Sequence, residues 1–118
     1  MDIVLYKPEV LTRNGDFCRM YRRGKTYVSP LLVTYVMKNR SNNIRIGVTA
    51  SKKVGNAVKR NRARRLVKEA YRLIKPGLKP GFDLVFVCRA KTTRSSCLEV
   101  KKAMEKQMIE AGLLNAEP

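Results

Sequence analysis

Residues 44–88 read IRIGVTASKKVGNAVKRNRARRLVKEAYRLIKPGLKPGFDLVFVC, and this stretch decides the architecture. Ile44, Ile46, Val48 and Ala50 alternate with Arg45, Gly47, Thr49 and Ser51, the period-2 pattern of a strand with one covered face. Gly55-Asn56 opens the longest helical pattern, which runs to about Lys75, where Pro76-Gly77 and Pro80-Gly81 enforce a stop. At 1.5 Å per residue such a rod is about 30 Å long. Phe82 to Cys88 is almost uninterruptedly apolar, which suits a strand covered on both faces, and the helix before it is long enough for a βαβ crossover. The strand at 44–51 is its expected neighbour.

Upstream, residues 1–13 show little periodicity, with a proline at position 8, and are assigned no stable element. Asn14 or Asp16 can cap a short helix in which Phe17, Met20 and Tyr21 recur at helical spacing, with Gly24 expected to end it in a left-handed conformation. From Thr26 to Lys38 alternation puts Tyr27, Leu31, Val33, Tyr35 and Met37 on one face and Val28, Leu32, Thr34 and Val36 on the other; Pro30 breaks the run or marks an edge. The polar cluster Asn39 to Asn43 then predicts a turn and an antiparallel hairpin with the strand at 44–51. Downstream, Ser96 and Glu99 have capping-box spacing, and Cys97, Val100, Met104, Met108 and Ala111 trace a helical stripe up to Gly112. The order is helix, strands, long helix, strand, helix: an α+β fold with one sheet.

The chain has 118 residues, 26 Lys and Arg against 9 Asp and Glu, and a net charge of +17. One domain is expected at this length, and a hydrophobic content of 44% is enough for one small core. So large a surplus is relieved when a polyanion lies against the surface, which makes nucleic acid the leading partner. Histidine is absent, so neither imidazole acid–base hydrolysis nor a His-ligated metal site can be built. Cys18, Cys88 and Cys97 have no CxxC spacing and read as buried, reduced thiols. The N-terminal MDIVLYKPEV has no basic lead into a long apolar run, and no stretch approaches the 18 or so apolar residues of a membrane span. A cytoplasmic protein without membrane contact is expected.

Charge concentrates on the long helix and its approach. Between Lys52 and Arg72 nine cations face the single Glu69. Helical projection groups Ala63, Leu66, Val67, Ala70, Leu73 and Ile74 in one sector, with Tyr71 at its margin, and the rest forms a basic wall. Arg60, Arg64, Lys68 and Arg72 stand four apart in a slanting row able to follow a phosphate backbone. A solvated charged face is the plain rival reading. It is weakened by the near absence of interleaved acids and by Lys59, Arg60 and Arg62 crowding a helix N-terminus, where each exposed cation costs on the order of 0.3 kcal/mol.

Phe17 and Tyr21 lie one turn apart among Arg19, Arg22, Arg23 and Lys25, a setting in which aromatics stack the bases of a single strand. Spacing alone serves equally well for the core face of a short helix, and the same holds for Tyr27 and Tyr35. The carboxylates show no pairing suited to two metals or to a general acid and base, so no protein catalytic site is expected.

Gly47-Val48-Thr49-Ala50-Ser51-Lys52-Lys53-Val54-Gly55-Asn56-Ala57-Val58-Lys59-Arg60-Asn61-Arg62-Ala63-Arg64-Arg65-Leu66, with Arg60-Asn61-Arg62 as an RNR motif, resembles the signature of the protein subunit of bacterial ribonuclease P. Residues of about 10–112 fall in that family's order within a single 1–118 domain. The resemblance implies the order α-β-β-β-α-β-α, one mainly antiparallel sheet packed with helices, and a βαβ crossover of the rare left-handed sense, against the general expectation. It implies an accessory subunit of an endoribonuclease, joined to a catalytic RNA that removes the 5′ leader from precursor tRNA. Magnesium ions would be held mainly by RNA and substrate, with no obligate protein partner. Carried over by position, Lys52, Lys53, Arg60, Asn61, Arg62, Arg64, Arg65 and Lys68 would contact the catalytic RNA and the start of the leader. Phe17, Tyr21, Val33, Tyr35 and Thr49 would form the leader-binding cleft. The main alternative is a non-catalytic basic RNA-binding protein such as a ribosomal protein; a DNA-binding or membrane-surface polycation is disfavoured for want of helix-turn-helix spacing or a free apolar face.

Overall fold

In the computed structural model, residues 14–115 are described; the segment 1–13, expected to lack a stable element, lies outside them. α1 spans Asn14–Arg23, with Asp16 inside its first turn, where it accepts from Arg19 at 3.1 Å. Gly24 does not adopt a positive φ. It follows α1 because the chain passes so close to Met20 and Val36 that a Cβ would stand 2.7 Å from the Met20 carbonyl oxygen.

Pro30 divides the alternating stretch into β1 (Lys25–Val28) and β2 (Leu32–Lys38), an antiparallel hairpin whose turn is tied by Ser29 and Leu32. The tight turn changes the parity between the two strands. Tyr27 pairs with Thr34 and Val28 with Val33, so Tyr27 shares the face of Leu32 and Thr34, not that of Val33 and Tyr35 as expected.

β3 (Arg45–Thr49) does not pair with β2. The sheet order is β1-β2-β4-β3, with β4 (Phe82–Cys88) antiparallel to β2 and parallel to β3. The expected hairpin between β2 and β3 is displaced by β4 because the most apolar strand takes the central place, paired along both edges and covered on both faces at its middle. Leu84, Val85 and Phe86 are each 0% exposed. The Asn39–Asn43 turn therefore spans two strand spacings, about 10 Å, and is braced by Asn39 N–H donating to the Gly81 carbonyl at 2.9 Å.

The crossover from β3 to β4 is α2 (Ala57–Ile74), capped by Asn56, whose side chain accepts from the Lys59 amide at 3.0 Å. α3 (Cys97–Glu110) starts on the expected box, with Ser96 and Glu99 bonded reciprocally, and is followed by Gly112 at φ +82°. Both helices cover one sheet face: Ala63, Val67, Ala70 and Ile74 from α2 and Val100, Met104 and Met108 from α3 meet Leu32, Val36, Leu84 and Phe86. Enclosing each large aliphatic or aromatic side chain stabilises the fold by about 1.5–3 kcal/mol. Tyr71, placed at the margin by projection, is in the core with its ring 5.8 Å from Phe86, while Leu73 is exposed. Buried Gln107 pins α3 to the β1–β2 hairpin, accepting from Thr34 at 2.6 Å and donating to the Tyr27 and Leu32 carbonyls.

Candidate nucleic-acid interface

Among the described residues, α1 alone of the helices packs on the opposite sheet face, and it covers only part of it. α1 sets Phe17 and Met20 on Val85, with Tyr35, Met37 and Val87 around them. Beyond α1, Val28, Val33, Val87 and Thr49 stand in one cross-strand row across all four strands. Two recesses open along it. One, of about 500 Å³, is lined by Tyr21, Thr49, Ser51, Lys52, Arg60 and Val87. The other, of about 550 Å³, is lined by Val33, Lys53, Val87, Arg89, Lys91 and Arg94. They share Ser51 and Val87 and so form one trough, apolar in its floor and basic at its rim.

The rim is basic because the short connection from β3 to α2 carries Lys52 and Lys53 and brings Arg60, in the first turn of α2, to the same recess as Thr49, while no acid occupies that turn. Arg60 donates to the Gly55 carbonyl at 3.0 Å, which holds its guanidinium at the trough. Lys52 and Lys53 are exposed on a short 3₁₀ turn, Lys52–Val54, capped by Ser51. Asn61, Arg62 and Arg65 are exposed on α2, and Arg62 donates to the Thr93 carbonyl at 3.0 Å.

The expected row of four equivalent cations is not uniform. Arg64 is only 7% exposed and donates to the Asn61 side-chain oxygen. Lys68 is half-buried, and burial first, with the Arg64 charge second, lowers its pKa. Arg72 is paired with Glu69, which answers its charge at 3.1 Å. Arg60 alone of the four lines the trough. Projection places residues by angle and does not show how far α2 tilts into the sheet and α3.

Phe17 and Tyr21 take different roles. Phe17 is 0% exposed and belongs to the small core beneath α1, whereas Tyr21 is 42% exposed and lines the trough. The Tyr21 pKa is raised, chiefly by burial, although a hydrogen bond with the Thr49 side chain opposes the shift. Val33, Tyr35 and Thr49 lie on the same sheet face, Tyr35 beneath Tyr21 and the other two in the open row. The sequence does not single out Arg89, Lys91 and Arg94, since they follow β4 at the start of and within a short 3₁₀ turn, Ala90–Arg94, and form no strand or α-helical periodicity. Their signal was the cluster of three bases in six residues directly after an apolar strand.

Among the described residues no group of three or more His, Cys, Asp or Glu side chains comes together. Of the described carboxylates, Asp16 pairs with Arg19, Glu69 with Arg72 and Asp83 with Arg45, and Glu99 accepts from the Ser96 amide; these engaged groups do not together offer the clustered oxygen donors of a magnesium site. Cys18 is exposed, contrary to the buried expectation; Cys88 is buried, which pushes its thiol up to about 12, and all three cysteines are free. Among the described residues no helix is long and apolar enough to cross a membrane.

The chain is similar to known proteins over most of its length. The model of the Ribonuclease P family matches residues 5–112. The ribonuclease P protein components of Clostridium botulinum (strain Loch Maree / Type A3) and Clostridium novyi (strain NT) are 43% and 44% identical to it, over 92% of this chain in both cases and 99% and 98% of theirs. Among solved structures, the RNase P protein of Staphylococcus aureus superposes with a TM-score of 0.81 at 27% identity, covering 92% of this chain and all of the other. That of Thermotoga maritima gives 0.77 at 27% identity, covering 86% and 96%.

Proposed function

The chain belongs to the bacterial ribonuclease P protein family and is an accessory subunit of that endoribonuclease, and from this premise we propose that its trough holds the single-stranded 5′ leader of precursor tRNA while the basic end of α2 joins the catalytic RNA. The observation that carries the reading is the trough itself: an apolar sheet row under an exposed tyrosine, rimmed by Lys52, Lys53, Arg60, Arg89, Lys91 and Arg94. Bases stack on Tyr21 and pack on Val33 and Val87, and the rim cations meet phosphates. Phe17 and Tyr35 act by seating Tyr21. Thr49 holds the Tyr21 hydroxyl.

From Lys52 and Lys53 on the preceding turn, Arg62, Arg65 and Lys68 extend the charge along α2 toward the catalytic RNA, and Arg64 orients the neutral Asn61 amide for hydrogen bonding there. Hydrolysis of the phosphodiester bond is the work of magnesium ions held mainly by the RNA subunit and the substrate. The protein's contribution is to bind and orient the leader, in the cytoplasm.

Cleavage of a precursor tRNA by a bacterial ribonuclease P RNA at low magnesium, with and without this protein, tests the reading. Stimulation by the protein, with no cleavage by the protein alone, is the expected result. A general RNA-binding protein, such as a ribosomal protein, gives no stimulation.

A further inference from the structure

Past α1 the same sheet face holds a separate basic recess of about 420 Å³, lined by Arg19, Lys38, Asn39, Arg40, Arg45 and Asp83. Strand register puts Met37, Asp83 and Arg45 in one cross-strand row and Val33, Val87 and Thr49 in another, four residues away along each strand, or about 13 Å. α1 is the ridge between them. Tyr21 lies on its trough flank, Arg19 on its recess flank, and Arg22 is exposed along it.

The charges in the recess are arranged for an incoming anion. Asp83 is 1% exposed and fully engaged: Arg45 donates to its two oxygens at 2.8 and 2.6 Å, and Asn39 adds a third bond at 2.8 Å. Lys38 and Arg40 are exposed and make no ion pair with any described residue. Arg19 gives one Nη2 bond to Asp16 at 3.1 Å, while its enclosed Nε has no acceptor. An enclosed N–H without an acceptor is a standing penalty, which an anion's oxygen removes once the guanidinium turns toward it. With 41% of the side chain exposed, Arg19 has room to turn.

We propose that this recess is a second phosphate subsite for the single-stranded RNA of the trough, taking a phosphate of that strand after it has crossed α1. The proposal rests on the trough reading above. An RNA phosphate is favoured over a protein carboxylate because recess, ridge and trough share one sheet face, and each carries bases without a matching acid.

The test uses the particle assembled from the full chain and a bacterial ribonuclease P RNA, with a ladder of precursor tRNAs whose leaders range from too short to cross α1 to amply long. The variant is Lys38→Gln with Arg40→Gln, two exposed positions outside the trough. For long leaders the wild type is expected to bind more tightly than for short ones, and the double variant to abolish the difference. It also makes the long-leader log–log salt slope about 1.4 less steep, the share of two phosphate contacts. Equal long-leader affinity and slope in wild type and variant overturns the proposal, as does an equal loss for short and long leaders. Inorganic phosphate that raises the Tm of the wild type but not of the variant, without any leader-length effect, assigns the recess to the free ion and likewise overturns it. If the protein fails to improve binding of any leader, it is the trough reading that fails.

Discussion

The Tyr21 and Tyr35 rings meet edge to face, with centroids 4.9 Å apart and planes at 67°. The exposed ring of α1 is thereby held over the sheet by a partner on β2, with Phe17 behind it at 6.5 Å. Such pre-positioning reduces the ordering cost that a mobile side chain pays when a ligand arrives.

Phe17 and Tyr21 should separate stability from binding. Phe17→Ala empties a fully enclosed site and is expected to lower unfolding free energy by about 3–5 kcal/mol. Tyr21→Ala should lose about 1–3 kcal/mol of leader binding with a much smaller change in stability, and Tyr21→Phe should keep most of the binding. Denaturant melts beside leader titrations read both; equal losses of stability from the two alanine variants would sink the division of roles.

The Arg45–Asp83 pair is asymmetric, because Arg45 is one-third exposed and Asp83 is 1% exposed. Hydrogen bonding to Asp83 raises the Arg45 pKa further. Arg45→Ala strands a buried carboxylate with only Asn39 for company and is expected to cost about 3 kcal/mol or more. Asp83→Ala leaves a guanidinium that water still reaches and should cost less. Chemical denaturation of the two variants checks the order, and the reverse ranking would contradict the burial argument.

Lys68 gives a pH signature. Its folded pKa is lowered, so folding disfavours the charged amine, and the unfolded chain binds more protons between that value and 10.5. The penalty is therefore complete at neutral pH and is relieved as pH rises through that window. The Cys88 thiol, at about 12, stays neutral and offers no compensating charge there. Lys68→Gln should raise the Tm of the free protein at pH 7, with the gain vanishing at high pH, while weakening affinity for the catalytic RNA. A lower Tm at pH 7 would mean that the amine makes a net favourable contact.

Salt dependence counts the rim. Lys52, Lys53, Arg60, Arg89, Lys91 and Arg94 line the trough. If each neutralises one phosphate of a single strand, leader affinity should fall with a log–log slope of roughly −4. Isothermal titrations from low to moderate salt measure it. Arg89→Gln and Lys91→Gln should each flatten the slope by about 0.7, whereas Arg72→Gln, whose charge Glu69 already answers, should leave it unchanged.

Local pattern was sufficient for the element order, the capping box of α3, the Asn56 start of α2 and the central character of Phe82–Cys88, because each depends on residues close together in the chain. The RNR stretch likewise carried the family, and the charge surplus carried the class of partner. Tertiary structure alone decided that β4 enters between β2 and β3, that Tyr27 turns to the core side, that Arg64 is enclosed while Arg62 is not, and that Phe17 is enclosed while Tyr21 is exposed. Periodicity sets which side chains share a face of one element. It says nothing of which strand will lie alongside or how deeply a helix will settle, since those outcomes come from contacts between residues tens of positions apart, such as Arg45 with Asp83 and Thr34 with Gln107.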